Sequence, residues 1–263
     1  MLLLLSTALA QVAPECEGKT QYYDDEALQA DHLLNYFALA VSNSPLHKPV
    51  PNDPGTGALS LKVMAIPPLS CERRLVLNST KTEDTNKAPM VPLPTLSFVL
   101  PNTGPGSLYG SIGYVPPLSL FGTRNVIVAG EIGYGVGMEN GVELGARYHA
   151  TLMKSVAEIA TPFNEGDPEA LDFYMGSTFG VDLMAGYAVG PVTPYGAVGF
   201  TDVSTFFYIA DDGFVGDNTT PYAGLTASLG VAAVVKERID LAAEFYTAPG
   251  YVYTGRARVG LLF

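Results

Sequence analysis

From Ser107 to the end of the chain, apolar and polar positions alternate with a period of two, segment after segment. Between 251 and 263, Tyr251, Tyr253, Gly255, Ala257, Val259, Leu261 and Phe263 share one face, against Thr254, Arg256, Arg258 and Gly260. Between 141 and 155, Val142, Leu144, Ala146, Tyr148, Ala150 and Leu152 lie opposite Glu143, Gly145, Arg147, His149 and Thr151. Farther on, Leu225, Leu229 and Val231 face away from Thr226, Ser228 and Gly230, and Leu241, Ala243 and Phe245 oppose Asp240 and Glu244. One apolar face and one small or polar face is the pattern of a half-buried strand. It predicts eight antiparallel strands, near 107–115, 124–137, 141–155, 173–189, 193–209, 221–236, 239–247 and 251–263. Most are longer than the ~9–11 residues that a tilted strand needs to cross a bilayer.

Upstream of about residue 95 the pattern breaks down. Asp24–Val41 reads as a helix, with an acidic first turn and Leu33, Leu34, Phe37, Ala38 and Val41 on one side. Prolines punctuate the stretch from Ser42 to Pro94, leaving short apolar pieces whose period is too brief to assign. If the segments near 58–66, 73–78 and 96–100 join the wall, the strand count rises to ten to twelve. Residues 1–10, MLLLLSTALA, have the apolar run and small-x-small ending of a secretory signal peptide, without the usual basic start. The expected organisation is therefore a signal peptide (1–10), an N-terminal region (11–95) and a barrel (96–263).

Composition decides which face meets solvent. Hydrophobic residues make up 48% of the chain and charged ones 15%, against roughly 25% charged in a soluble domain. A soluble barrel needs charges all over its outer face. Here the polar face carries only a few, among them Glu131, Glu143, Arg147, Asp182, Asp240, Glu244, Arg256 and Arg258, set among Gly, Ser, Thr and Ala. That sparse set suits a crowded lumen, and the broad apolar face suits lipid. The connections near 139–141, 190–192 and 236–238 are short, and those at 157–172 and 211–220 are long, as on the two sides of an outer-membrane barrel. With 26 acidic and 14 basic residues, a nucleic-acid partner is not expected.

With its signal-like start, its alternating strands and the ending TGRARVGLLF, the chain resembles bacterial outer-membrane β-barrel proteins as a broad class. The resemblance implies an outer-membrane location, contact with outer-membrane lipid, and recognition of the strand ending in Phe263 by the barrel assembly machinery. Counting back from a periplasmic C-terminus places the start of the N-terminal region in the periplasm too.

Candidate chemistry is limited. A hairpin centred on Glu139 sets Glu131 opposite Arg147, and one centred near Pro249 sets Asp240 opposite Arg258. Unpaired charges in an apolar interior are costly, so these residues, with Glu143, His149, Asp182, Glu244 and Arg256, read as a lumen network. Cys16 and Cys71 can pair in an exported chain, worth ~4 kcal/mol in the chain-entropy treatment. Asp211, Asp212, Asp217 and Asn218 carry enough oxygens for calcium but miss the EF-hand spacing, which favours a solvated acidic loop. His149 with Ser155, Ser177, Ser204 or Ser228 is the weak case for a hydrolase, since spacing selects none of them. Gly133, Gly135 and Gly137 fall inside a strand, where glycine relieves crowding more often than it cradles phosphate.

The reading favoured by the sequence is an all-β, antiparallel, monomeric transmembrane barrel of at least eight strands, without metal or cofactor. Its role is structural or surface-binding, with a lumen filled by side chains. A passive channel or transporter for small, including hydrophobic, compounds is the alternative, with helix 24–41 as a plug. A membrane-embedded hydrolase ranks third.

Overall fold

The computed structural model describes residues 12–83, 85–101, 104–157, 171–209, 214–217 and 221–263. Ten strands form the wall: β1 (Gly57–Ala65), β2 (Met90–Val99), β3 (Ser107–Leu120), β4 (Thr123–Gly137), β5 (Val142–Ala157), β6 (Asp172–Tyr187), β7 (Val192–Ile209), β8 (Ala223–Val235), β9 (Ile239–Ala248) and β10 (Val252–Leu262). Each pairs antiparallel with its neighbours in sequence, and β10 pairs with β1 from Leu262–Ala58 to Arg256–Met64, which closes the barrel. Phe263 completes the closure, exchanging backbone hydrogen bonds of 2.9 and 3.0 Å with Gly57. Glycine at position 57 lets the Phe263 and Phe98 rings close over the backbone, since a Cβ there would stand 2.7 Å from the Phe263 ring and push it aside.

The wall is longer at its start than the sequence reading had it. It begins at Gly57, not at 96, and two strands precede the eight expected. The strand β2 was hard to see because Pro92 and Pro94 fall inside it, and proline argues against a strand within a sheet. The segment near 73–78 stays out of the wall. It forms a short helical turn, Cys71–Arg74, and a two-residue strand, Leu75–Val76, paired with Lys81–Thr82.

The alternation sorts as the pattern required. Leu59, Ile112, Ile132, Leu183, Val198, Leu225, Leu229 and Leu261 point outward, each more than half exposed. Ser60, Lys62, Arg147, Thr151, Asp182, Thr201, Asp240 and Arg256 point inward and are buried. No core of the usual soluble kind could leave so many large aliphatic side chains bare. Such a surface is stable only against hydrocarbon.

One end of the barrel is covered. Helix α1 (Glu26–Ala40) lies against β6, β7 and β10. It starts at Asp25, whose carboxylate accepts from the Ala27 and Leu28 amides. Tyr174 donates to the Leu34 carbonyl (2.7 Å), and the Gln29 amide donates to the Glu72 and Leu75 carbonyls. The Cys16–Cys71 disulfide ties the residues before α1 to the β1–β2 connection. This cap sits at the mouth near the β9–β10 turn, at the end away from Phe263. Counting back from the C-terminus had put the N-terminal region at the same end as Phe263. The count missed that the chain passes through the lumen before its first strand.

His32 is buried in the cap, with its ring 4.6 Å from that of Tyr251 and 5.5 Å from that of Tyr23. Burial, with a smaller contribution from the Arg73 charge, lowers its pKa to about 4. The unfolded chain therefore binds a proton that the folded cap refuses, and the cap loses stability as pH falls from about 6.5 towards 4. Limited proteolysis of the 12–41 region should quicken over that window, and His32→Phe should flatten the dependence. A Cys16→Ser/Cys71→Ser variant should open the cap to protease at neutral pH, with a loss of up to ~4 kcal/mol confined to the cap. Heat-modifiable migration on gels would report the barrel separately.

Candidate functional site: a strap through a charged lumen

Between α1 and β1 the chain runs down the inside of the barrel. Ser42, Asn43, Ser44, Leu46 and His47 are all buried. The local sequence explains why this stretch is neither helix nor strand. Pro45, Pro49 and Pro51 restrict its backbone and remove N–H donors, and Leu46 turns it with a left-handed φ of 48°. A chain with too few regular partners must take its hydrogen bonds from the wall.

The wall residues that supply them follow β5 in order. Asn43 N–H donates to Thr151 Oγ1 (2.9 Å), and the Asn43 carbonyl accepts from Arg147 Nη2 (2.6 Å). Near the far end, Lys48 Nζ meets Glu143 Oε1 at 2.9 Å and Val50 N–H reaches the same carboxylate at 3.3 Å. Across the lumen Leu46 N–H donates to Glu244 Oε2 (3.0 Å), which also accepts from the Tyr195 hydroxyl (2.9 Å). Gly135 and Gly145 make room. A Cβ at Gly135 would stand 2.2 Å from the Pro49 carbonyl oxygen.

Arg256 holds the junction of helix and strap. Its guanidinium donates to the carbonyls of Ser42 (2.5 Å), Ala40 (3.1 Å) and Leu39 (3.3 Å) and lies 3.9 Å above the Tyr246 ring. The last turn of α1 carries no basic residue of its own. Arg256 therefore supplies the positive charge that a helix C-terminus favours, from the barrel wall.

The nine charged residues singled out from sequence all lie within the barrel, but their partners differ in part from the hairpin count. Glu131 stands opposite His149 and Asp240 opposite Gly260, so each turn is centred one residue later than expected. The pairs form diagonally. Arg147 Nη1 meets Glu131 Oε2 at 2.5 Å, and Arg258 Nη2 meets Asp240 Oδ2 at 2.5 Å. Arg147 also bonds Asp182, which lies directly opposite it on β6, through Nε (2.8 Å) and Nη2 (2.6 Å). His149 Nε2 lies 3.5 Å from Asp182. Lys62 and His47 complete the cluster around Glu131, at 4.0 and 3.5 Å. Sequence reading missed both, along with Asn43, since they lie where no period shows. The available signal was an aperiodic, proline-rich stretch beside a lumen whose charges needed extra partners.

The other candidates separate. Ser155 donates to Asn125 (2.6 Å) and Ser177 to the Ser204 carbonyl (3.3 Å), and neither is bonded to His149. Asp211, Asp212 and Asn218 lie outside the described residues. For Asp217 the backbone alone is described, in the short strand Phe214–Asp217 that extends from β7. Among the described residues no cluster of His, Cys, Asp or Glu has the arrangement of a metal site. The signal-like residues 1–10 also lie outside the described part.

The fold is a closed, ten-stranded antiparallel β-barrel. No family model matches the sequence, and no curated protein is significantly similar to it. Among solved structures, the translocator domain of the autotransporter NalP from Neisseria meningitidis is 11% identical, with a TM-score of 0.48, over 81% of this chain and 89% of that one. The Pseudomonas putida toluene transporter TodX is 11% identical, with a TM-score of 0.41, over 87% and 75%. Ail, the attachment invasion locus protein of Yersinia pestis, is 11% identical, with a TM-score of 0.37, over 80% and 100%.

Arg147 bridges two carboxylates and a strap carbonyl, so its loss should be severe. Arg147→Leu should destabilise the barrel by about 3–5 kcal/mol, because it leaves buried carboxylates without their cation. Adding Asp182→Leu should restore part of that loss. Urea unfolding in detergent, followed by heat-modifiable migration, measures both, and additive losses would show that the two residues are not coupled.

Proposed function

We propose that this protein is an outer-membrane barrel, closed to ions, that holds a disulfide-tied cap at one mouth for a structural or surface-binding role. The observation that carries the reading is the strap. It crosses the lumen from Ser42 to Val50 and is bonded at successive depths to Arg256, Thr151, Arg147, Glu244 and Glu143. A lumen occupied by main chain and crossed by ion pairs has little room for a hydrated solute. With the C-terminus in the periplasm, the cap faces outward, where a surface role needs it.

Among the described residues no arrangement of groups favours catalysis, since His149 faces the Asp182 carboxylate and the arginine cluster without a bonded nucleophile. Contact of the strand ending in Phe263 with the assembly machinery belongs to the same proposal. The exposed ring of Phe263 and its closure bonds to Gly57 are the features such recognition would use.

Planar-bilayer recording tests the reading. The native protein should insert without steady conductance. Arg147→Ala/Arg256→Ala removes two clamps on the strap and should give discrete, flickering openings. Steady conductance of the unaltered protein would overturn the closed-lumen reading.

A further inference from the structure

The wall has a seam. β2 and β3 are paired from Val99–Tyr109 to Thr95–Gly113, and there the ladder stops, although both strands continue towards the cap. The cause is the placement of prolines. On the β2 side, Leu100 N–H bonds to the Leu108 carbonyl, whereas Val99 N–H bonds to Thr56. Even-numbered residues of β2 thus address β3, and odd-numbered ones address β1. Pro92 and Pro94 are both even. By the same alternation Tyr114 and Pro116 address β2. Continuing the register, the next two rungs would join Pro94 to Tyr114 and Pro92 to Pro116. Three of the four N–H groups they require do not exist. Pro116 and Pro117 also mark the site of a register shift between β3 and β4. Closed barrels have no edge for prolines to protect, and unpaired backbone facing hydrocarbon is costly.

Behind the seam lies a cavity of ≈ 70 Å³ under the C-terminal half of α1. Phe37, Val41, Ile66, Val91, Met153 and Tyr174 give it a mostly apolar wall, with Lys87 and Asn125 among the polar residues that also line it. Its lining passes from Val91 on β2 to Thr123 and Asn125 on β4, with no residue of β3 between them. Leu93 and Val115, facing inward from the two sides of the seam, are buried in the same apolar cluster. Leu93 packs over Gly113, where a Cβ would come within 3.0 Å of it. Outside, Leu96, Ile112, Tyr114 and Leu118 are exposed on the lipid-facing surface.

We propose that the β2–β3 seam is a lateral passage, gated by Leu93 and Val115, through which a small apolar molecule moves between the bilayer and the cavity beneath α1. The mostly apolar lining favours an uncharged ligand. The volume sets its size below that of a single ring, since closed apolar cavities of ~150 Å³ hold benzene or xenon and this one is less than half as large. Arrival from the bilayer fits both the concentration of such molecules in hydrocarbon and a lumen blocked by the strap. This inference goes beyond the closed-barrel role, and a different measurement decides it.

The test is xenon NMR of xenon exchanging with the full chain in phosphatidylcholine nanodiscs. Saturable binding is expected, and Met153→Trp, which fills the cavity, should abolish it. Restoring the rungs with Pro92→Val/Pro94→Thr/Pro116→Val should slow exchange at least tenfold with little change in Kd. Leu93→Ala should quicken it several-fold, and it carries the test if the triple variant does not fold. Absence of saturable binding to the native protein would overturn the site. Exchange unchanged in the rung-restored variant, or in Leu93→Ala, would overturn the lateral route. Conductance reports on the strap alone, and xenon exchange on the seam alone, so either reading can fail without the other.

Discussion

A charge sealed inside a membrane barrel must find its partners within reach, and that constraint organises this molecule. Arg147 and Arg256 are fully inside the wall, and between them they consume two carboxylates and four main-chain carbonyls. The carbonyls come from α1 and the strap. Without that segment Arg256 would lose its three carbonyl acceptors, keeping the face of Tyr246 and Glu244 opposite it on β9, and Arg147 would lose one of its three acceptors. Conversely the strap, interrupted by prolines, has no ladder of its own and would not remain in an apolar channel without the arginines. Each half satisfies the other.

Barrel size follows from the same requirement. Eight strands leave an interior that side chains alone can fill. Ten strands leave more, and here the extra space takes a polypeptide segment where Gly135 and Gly145 permit its close approach. The cap is then the strap's anchor. Arg256 pins the C-terminus of α1, Tyr174 pins its middle, and the disulfide fastens the residues ahead of it to the wall connection.

What could be read in the sequence tracks how regular the physics is. Strands from Ser107 onward were legible because each residue alternates between two solvents, hydrocarbon and lumen, and composition obeys that alternation almost without exception. The inward charges were legible for the same reason. Partners of those charges were less so, because hairpin counting fixes direct neighbours, whereas Arg147–Glu131 and Arg258–Asp240 meet diagonally across long side chains. β1 was legible only as a possible strand near 58–66, and β2 only at its end near 96–100, because Pro92 and Pro94 interrupt the rest of it. The strap was hidden altogether, since a segment that borrows its hydrogen bonds leaves no period of its own.

Prolines illustrate how one residue type marks two different departures from the barrel rule. In the strap, Pro45 and Pro49 help keep the chain from forming regular structure, so that its carbonyls remain for the arginines. In the wall, Pro92, Pro94 and Pro116 remove donors from one side of a strand only, leaving the bonds from β2 to β1 intact down to Met90. A proline placed with the opposite parity in β2 would have cut the closure near β1 instead. The parity is therefore what separates a local seam from a broken barrel, and it places the weak line beside the apolar cavity and away from the arginine clamps.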